Sequence, residues 1–462
     1  MTARPDLSVQ AAPDQFDLDV SVVIIGAGAC GMIAALAAKD AGAEVLVIEA
    51  DAAPAGSTAL SAGLVPAAGT KLQAAAGISD TPAQFAQDIQ AKAKDENPQA
   101  LVDLLAHNAG RTIDWLVERY ALPFTLVTDF DYPGHSARRM HGLPTRAGRE
   151  LVDRLRATCE AEAIDIICNR RADILFTAGD RIAGVAVEGP QGTETIGCDS
   201  LILACNGFGG NCDMVDAHMP EISQALYFGH VGNQGDAVAW GDALGAQTLH
   251  LSSYQGHGNV AHPHGILITW AVITEGGVQV NLNGMRFWDE SQGYSEAARA
   301  VMAQPKGLAW AIFDHRIAGV ARQFQDFKDA EAQGAIRYAD SLTELAAKTD
   351  LPENALRETL RSLPVNGTDA FGRTFGATPL VPPYAAVKVT GALFHTQGGL
   401  NIDTRARVLR CNGEPFPNLF AAGGAAVGVS GKGDSGYLSG NGLLSATVLG
   451  RIAGRSAADL TT

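Results

Sequence analysis

The 462-residue sequence predicts an α/β fold in which a domain built on a parallel sheet is interrupted by an inserted α+β domain. Three observations carry this. Residues 20–49 read as a complete β-turn-α-β unit. From about residue 246 the texture changes: His250, His257, His262 and His264 cluster, and Trp270, Trp288 and Trp310 appear. After Pro382 and Pro383 the chain returns to β-type runs and glycine-rich turns and closes on a helix. The expected division is therefore 1–245, 246–382 and 383–462, the outer two forming one domain.

The elements follow in order. Residues 1–17 read as a polar tail, and 20–25 as an apolar strand buried on both faces. A glycine-rich turn leads into an Ala-rich helix at 32–41, then a strand at 45–48 that ends at Glu49. A small-residue stretch spans 56–63. Helical patterns cover 82–94 and 98–120, with Asn97 before Pro98 as a cap and first-turn pair. Residues 121–146 look irregular, and a helix is expected at 147–163. Residues 173–177 and 182–188 flank an Ala-Gly-Asp turn and read as a hairpin. Another buried strand occupies 201–205. Helical segments are expected near 307–333, 341–348 and 352–362, and a last helix at 443–460.

Composition excludes several classes. With 47% hydrophobic and 18% charged residues, the chain is neither disordered nor fibrous. Its net charge of −16 argues against nucleic acid as a partner. No run of 18 apolar residues predicts a membrane span. The N-terminus has no apolar signal core, so a cytoplasmic location is the expectation. The seven cysteines include no C-x-x-C pair and read as buried small hydrophobes. The histidine spacing fits no standard metal site, so no metal is expected.

Gly26, Gly28 and Gly31 form G-x-G-x-x-G between a strand and a helix. The first allows the tight turn, the second lets a pyrophosphate approach the backbone, and the third lets helix and strand pack. The helix N-terminus adds free N–H groups and the positive end of its dipole. Glu49, 23 residues after Gly26, stands where an acid would bind a ribose hydroxyl. This is a Rossmann-like dinucleotide fingerprint.

The order of motifs resembles the fumarate reductase and 3-ketosteroid dehydrogenase family of flavoproteins over nearly the whole chain. The motifs are VVIIGAGACG, GSTALSAG, LILACNGFGGN, GNQGDAVAWGDALGA, GGVQVNLNGMRFWDE, DAFGR, HTQGGLNIDTRARVL and NLFAAGG. The resemblance implies a Rossmann-like FAD-binding domain with an inserted capping domain, the active site lying at their junction. Cofactor contacts are implied at Ser57, Thr58, Ser61, Gly63, Ala172, Asn206, Gly207, Asp236, Gly423, Gly424, Gly440, Asn441, Leu443 and Leu444, besides the fingerprint. No histidine stands near GSTALS, where covalently flavinylated members carry one, so non-covalent FAD is implied.

Fumarate reductases of this family carry an arginine four residues after the glutamate of GxRFxxE and another just before the last glycine motif. Here these positions are Tyr294 and Tyr437. Both changes argue against a dicarboxylate substrate and match the ketosteroid dehydrogenases. The resemblance then implies desaturation of a saturated cyclic ketone: an α-proton leaves as a β-hydride passes to flavin N5. Tyr437, with a backbone amide around Gly440–Gly442, would polarise the carbonyl. Tyr294 would take the proton, with Tyr132 assisting. His395 and His257 match family histidines that touch substrate, and Trp288 is expected beside the substrate. His135, Arg138, Arg139 and His141 form a basic cluster, in which Arg139 either captures a substrate carboxylate or salt-bridges within the fold. Candidate substrates are a cyclohexanone, an oxocyclohexanecarboxylate or a 3-ketosteroid, with an external electron acceptor. An enoate reductase and a flavin electron-transfer subunit are the alternatives.

Overall fold

The computed structural model describes residues 7–128 and 131–460, which divide into two compact units. One holds the chain up to residue 218, then 229–254 and 395 onward; the other holds 219–228 and 255–394. The insertion thus starts nine residues later than the texture change at 246 and runs on past 383. The cause is strand continuity: Tyr254–Ala261 and Tyr384–Thr396 are single unbroken strands. The short strand Leu226–Tyr227 joins the second unit by pairing in parallel with Ala392 and Leu393.

The first unit is built on a mixed sheet. Its parallel core runs Gly192–Leu203, Leu18–Ile25, Val45–Ile48 and Asp165–Ile167, with Pro415–Ala421 parallel on the other side of Gly192–Leu203. Val22, Val23, Ile24, Val47, Leu201, Ile202 and Leu203 are essentially inaccessible, as strands covered on both faces require. The Arg171–Ala178 and Arg181–Gly189 hairpin continues this sheet in antiparallel fashion. The first helix, Ala29–Asp40, and the C-terminal helix, Asn441–Ala458, pack on each other at small residues. A Cβ at Gly454 would lie 2.1 Å from the Ala34 carbonyl oxygen, so only glycine lets these helices close to that distance.

The second unit has its own sheet, with Tyr384–Thr396 between Tyr254–Ala261 and Leu308–Asp314, and Val278–Asn281 at one end. A separate core forms around Val278, Val280, Trp310, Ile312 and Leu345.

Three local expectations are corrected. Within the expected polar tail, Ser8–Ala11 is a strand that pairs in parallel with Ile174–Thr177 at the edge of the first unit's sheet. Residues 308–314 are a strand rather than helix: LAWAIFD is a continuous buried run between two antiparallel partners, and short apolar runs carry no period that separates the two. Asn97 is not a helix cap. Pro98 holds that position, and the Asn97 side chain instead donates to the Val429 carbonyl (3.1 Å) and accepts from the Gly431 N–H (2.8 Å). No helix among the described residues is long and apolar enough to cross a membrane.

Candidate active site and cofactor cradle

The fingerprint turn is shaped by what a side chain would meet there. At Gly31 a Cβ would lie 1.8 Å from the Gly26 carbonyl oxygen, so the turn itself forbids it. At Gly28 the nearest atom to a Cβ would be Thr58 Oγ1 at 3.7 Å, leaving a cradle beside the backbone. Thr58 Oγ1 accepts the Ala29 N–H (3.2 Å), which brings the 56–59 turn to the start of the first helix. Ser57 accepts from Asn233 Nδ2 (2.8 Å), and Ser61 supports Gly63 through its hydroxyl (3.1 Å). Glu49 accepts the Ala27 and Asp51 N–H groups at 2.7 and 2.9 Å. Burial raises its carboxyl above the ordinary value.

The remaining expected cofactor residues collect in the same unit. Asn206 accepts the Gly207 N–H (2.9 Å), and a Cβ at Gly424 would press on Asn206 Oδ1. Gly423 lies against Cys30. Asp236 pairs with Arg171 (2.9 Å), and Ala172 is buried in the adjoining strand. Leu443 and Leu444 lie in the first turn of the C-terminal helix, and Asn441 Oδ1 and Ser445 Oγ in its first two turns are buried without hydrogen-bond partners. A glycine cradle at a helix start, an acid at the strand end and orphaned polar atoms at a second helix start fit a dinucleotide bearing a polar ring.

At that second helix start Tyr437, His395 and Gly442 converge. The Gly442 N–H donates to the Tyr437 hydroxyl (3.3 Å), and the His395 and Tyr437 rings are 5.6 Å apart, edge to face. A Cβ at Gly442 would lie 2.8 Å from His395 Nε2. Within the expected range Gly440–Gly442, the amide that meets Tyr437 is that of Gly442. Gly440 is the helix cap, at φ 87°, and a side chain there would strike Pro66. Its role is to turn the chain.

In the second unit, Tyr294 begins the helix Tyr294–Met302. The His257 ring is stacked between Tyr294 (4.9 Å) and Phe394 (5.2 Å), and Phe394 stacks in turn on Phe228 (4.7 Å). Trp270 meets His257 and Tyr294 edge-on. Trp288 donates its indole N–H to Gln279 (3.0 Å) and lies 6.4 Å from Trp270. Glu290, buried, holds Arg286 and Arg373 and accepts the Gln279 N–H (3.0 Å). That network fixes the turn before Tyr294. Asn259 donates its backbone N–H to His257 Nδ1 (3.1 Å), which leaves the ring proton on Nε2.

Arg139 is not a substrate ligand. Its side chain is fully buried, bidentate to Asp80 (2.9 and 2.9 Å) and paired with Asp88. Of the two roles left open by the sequence, the internal salt bridge is the one present. Tyr132 lies in the same loop, and burial raises its phenol pKa, so it stays a neutral phenol that can donate a hydrogen bond. Sequence reasoning missed Trp270, Phe394 and Phe228. Only Phe394 had a local signal, standing directly before the HTQGG histidine.

Burial lowers the pKa of five histidines: below the ordinary value at His250, to about 4 at His135, His141 and His395, and to about 3 at His257. They are neutral in the fold, while the unfolded chain takes up protons near 6.5. Their stabilising contribution is therefore complete above about pH 6.5 and is lost as pH falls toward 4. The melting temperature is expected to drop steadily from pH 7 to pH 4.5. A flat profile over that window in scanning calorimetry would show that these rings are protonated in the fold.

A family model described as FAD binding domain matches residues 21–443. A probable fumarate reductase of Shewanella frigidimarina is 32% identical across 98% of this chain and 76% of its own length. The structure of the open conformation of a flavocytochrome c3 fumarate reductase superposes with a TM-score of 0.81 at 30% identity, covering 96% of this chain and 79% of that one. A 4-oxocyclohexanecarboxylate 2-dehydrogenase of Sinomonas cyclohexanicum is 26% identical over 95% of this chain and 96% of its own length.

Proposed function

The chain belongs to the FAD-binding-domain flavoproteins, and from that premise we propose that it desaturates a saturated cyclic ketone beside the carbonyl. It is an FAD-dependent oxidoreductase acting on carbon–carbon bonds. Bound FAD supplies the hydride acceptor.

The supporting observation is the chemistry of the two tyrosine clusters. Where fumarate reductases carry arginines, this chain carries Tyr294 and Tyr437, and the histidines beside them are neutral by burial. A dicarboxylate would find no positive charge on Tyr437, His395, Tyr294 or His257. A ketone needs instead a hydrogen bond at its oxygen and a base at its α-carbon. Tyr437 donates its O–H to the carbonyl oxygen, supported by the Gly442 N–H, and stabilises charge as the α-proton leaves. Tyr294, as the phenolate, accepts that proton and becomes the neutral phenol, and Tyr132 assists by hydrogen bonding. His257 Nε2–H and the Trp288 ring hold the rest of the substrate.

The likeness to a 4-oxocyclohexanecarboxylate dehydrogenase favours a single six-membered ring. FAD is held without a covalent bond, and the free thiols fit a cytoplasmic, reducing setting. The greater identity to fumarate reductases favours a second reading, an enoate reductase. Anaerobic mixing separates the two. Cyclohexanone, 4-oxocyclohexanecarboxylate or a saturated 3-ketosteroid should bleach the flavin. If none does, while fumarate or another unsaturated acid reoxidises the reduced enzyme, the second reading holds.

A further inference from the structure

Arg139, His135 and Ser439 form a continuous hydrogen-bonded line inside the first unit. Asp80 and Asp88 fix the guanidinium, with the Phe85 ring 4.6 Å beneath it. Ser136 secures Asp88 through its N–H and hydroxyl, at 2.8 and 2.7 Å. Arg139 Nη1 donates to His135 Nδ1 (3.3 Å), and His135 Nε2–H donates to the Ser439 carbonyl (3.0 Å). The loop and the 437–440 segment also meet sterically: a Cβ at Gly134 would lie 2.8 Å from Leu438 Cδ1. Ser439 sits two residues after Tyr437 and one before the helix cap Gly440. The Asn441 N–H closes that turn on the Leu438 carbonyl (3.0 Å).

We infer that Arg139 and His135 are positioning residues, clamping the Leu438–Asn441 turn so that the Tyr437 hydroxyl stays on the Gly442 N–H. This rests on the reading of Tyr437 as the donor to the substrate carbonyl. On its other side the turn is tied by Asn441 Nδ2, which donates to the Val429 carbonyl (3.1 Å) and to Ser430 Oγ (3.0 Å); the Ser439 carbonyl is the point held by His135. The Gly440 cap makes no side-chain hydrogen bond, and its backbone at φ 87° is open to glycine's full range. Without the anchor at Ser439 the turn would be tied on one side only, and a displacement of about 1 Å at a reacting group costs on the order of 100-fold in rate. Burial beside Arg139 keeps the imidazole neutral, which preserves one acceptor and one donor nitrogen across the working pH range.

Two variants of the holoenzyme test the clamp. His135→Phe keeps a ring against Phe85 but removes both hydrogen bonds; His135→Gln keeps an acceptor for Arg139 and a donor for Ser439. His135→Phe is expected to retain FAD and to exchange its amides at 440–444 about tenfold faster in deuterium. Its kcat on the ketone that bleaches the flavin should fall about 10- to 100-fold with KM little changed. His135→Gln should restore both. Unchanged exchange in His135→Phe, unchanged kcat, or a His135→Gln as impaired as His135→Phe overturns the inference. If the wild-type enzyme bleaches with no ketone, the functional reading falls, and exchange in the two variants still decides the clamp.

Discussion

A Gly28→Val variant is expected to fold and to purify without flavin. Gly28 has φ −71° and ψ −175°, a backbone any residue adopts. A Cβ there meets nothing of the protein closer than Thr58 Oγ1 at 3.7 Å. The valine therefore costs the polypeptide little, and its methyl groups occupy the space the pyrophosphate needs. Overpacking of that kind costs about 1–3 kcal/mol, equivalent to about 5- to 150-fold in affinity. Gly31→Ala is the contrast. Its Cβ would sit 1.8 Å from the Gly26 carbonyl oxygen, so the turn cannot form and the loss is one of folding. The flavin absorbance of purified protein and the melting temperature separate the two effects. A yellow, fully loaded Gly28→Val protein would place the pyrophosphate elsewhere.

Tyr294→Phe is expected to lower kcat by about 10³-fold, the usual worth of a positioned base. The phenyl ring preserves the stack on His257 and the edge contact with Trp270, so FAD content and KM should stay near wild type. Reduction by dithionite should be unaffected. A variant that retains turnover within about threefold of wild type would remove Tyr294 from the chemistry and return the enoate reductase to first place.

The fingerprint was legible because glycine spacing records a backbone requirement that no other residue satisfies, and Gly26, Gly28, Gly31 and Glu49 stand together as read. Tyr294 and Tyr437 were legible only by contrast, as departures from a resemblance. Arg139 was not. A buried ion pair and an anion site use the same residue types, and Asp80 and Asp88 lie more than 50 residues away in sequence. The amide beside Tyr437 was legible only as a range, Gly440–Gly442, because SGNG offers two glycines, and only the helix phase decides that the Gly442 N–H meets the Tyr437 hydroxyl. The second-unit stack left no pattern either. Phe228, His257, Tyr294 and Phe394 come from four separate segments, brought together by a sheet whose pairing the sequence does not spell out. The segment 219–228 was assigned to the wrong domain because a two-residue strand carries no periodicity.

That stack bears on how such an activity diversifies over evolutionary time. Apolar ring walls discriminate by fit alone, about 1–3 kcal/mol for each methylene gained or lost, whereas a bound ion or an oriented hydrogen bond rejects misfits far more harshly. On the proposed reading, a lineage can exchange one ring size for another by replacing Phe228, the end of the stack away from Tyr294, leaving Tyr294 and its Arg286–Glu290 support untouched. Substrate range and catalytic power are then set by different residues and can change independently.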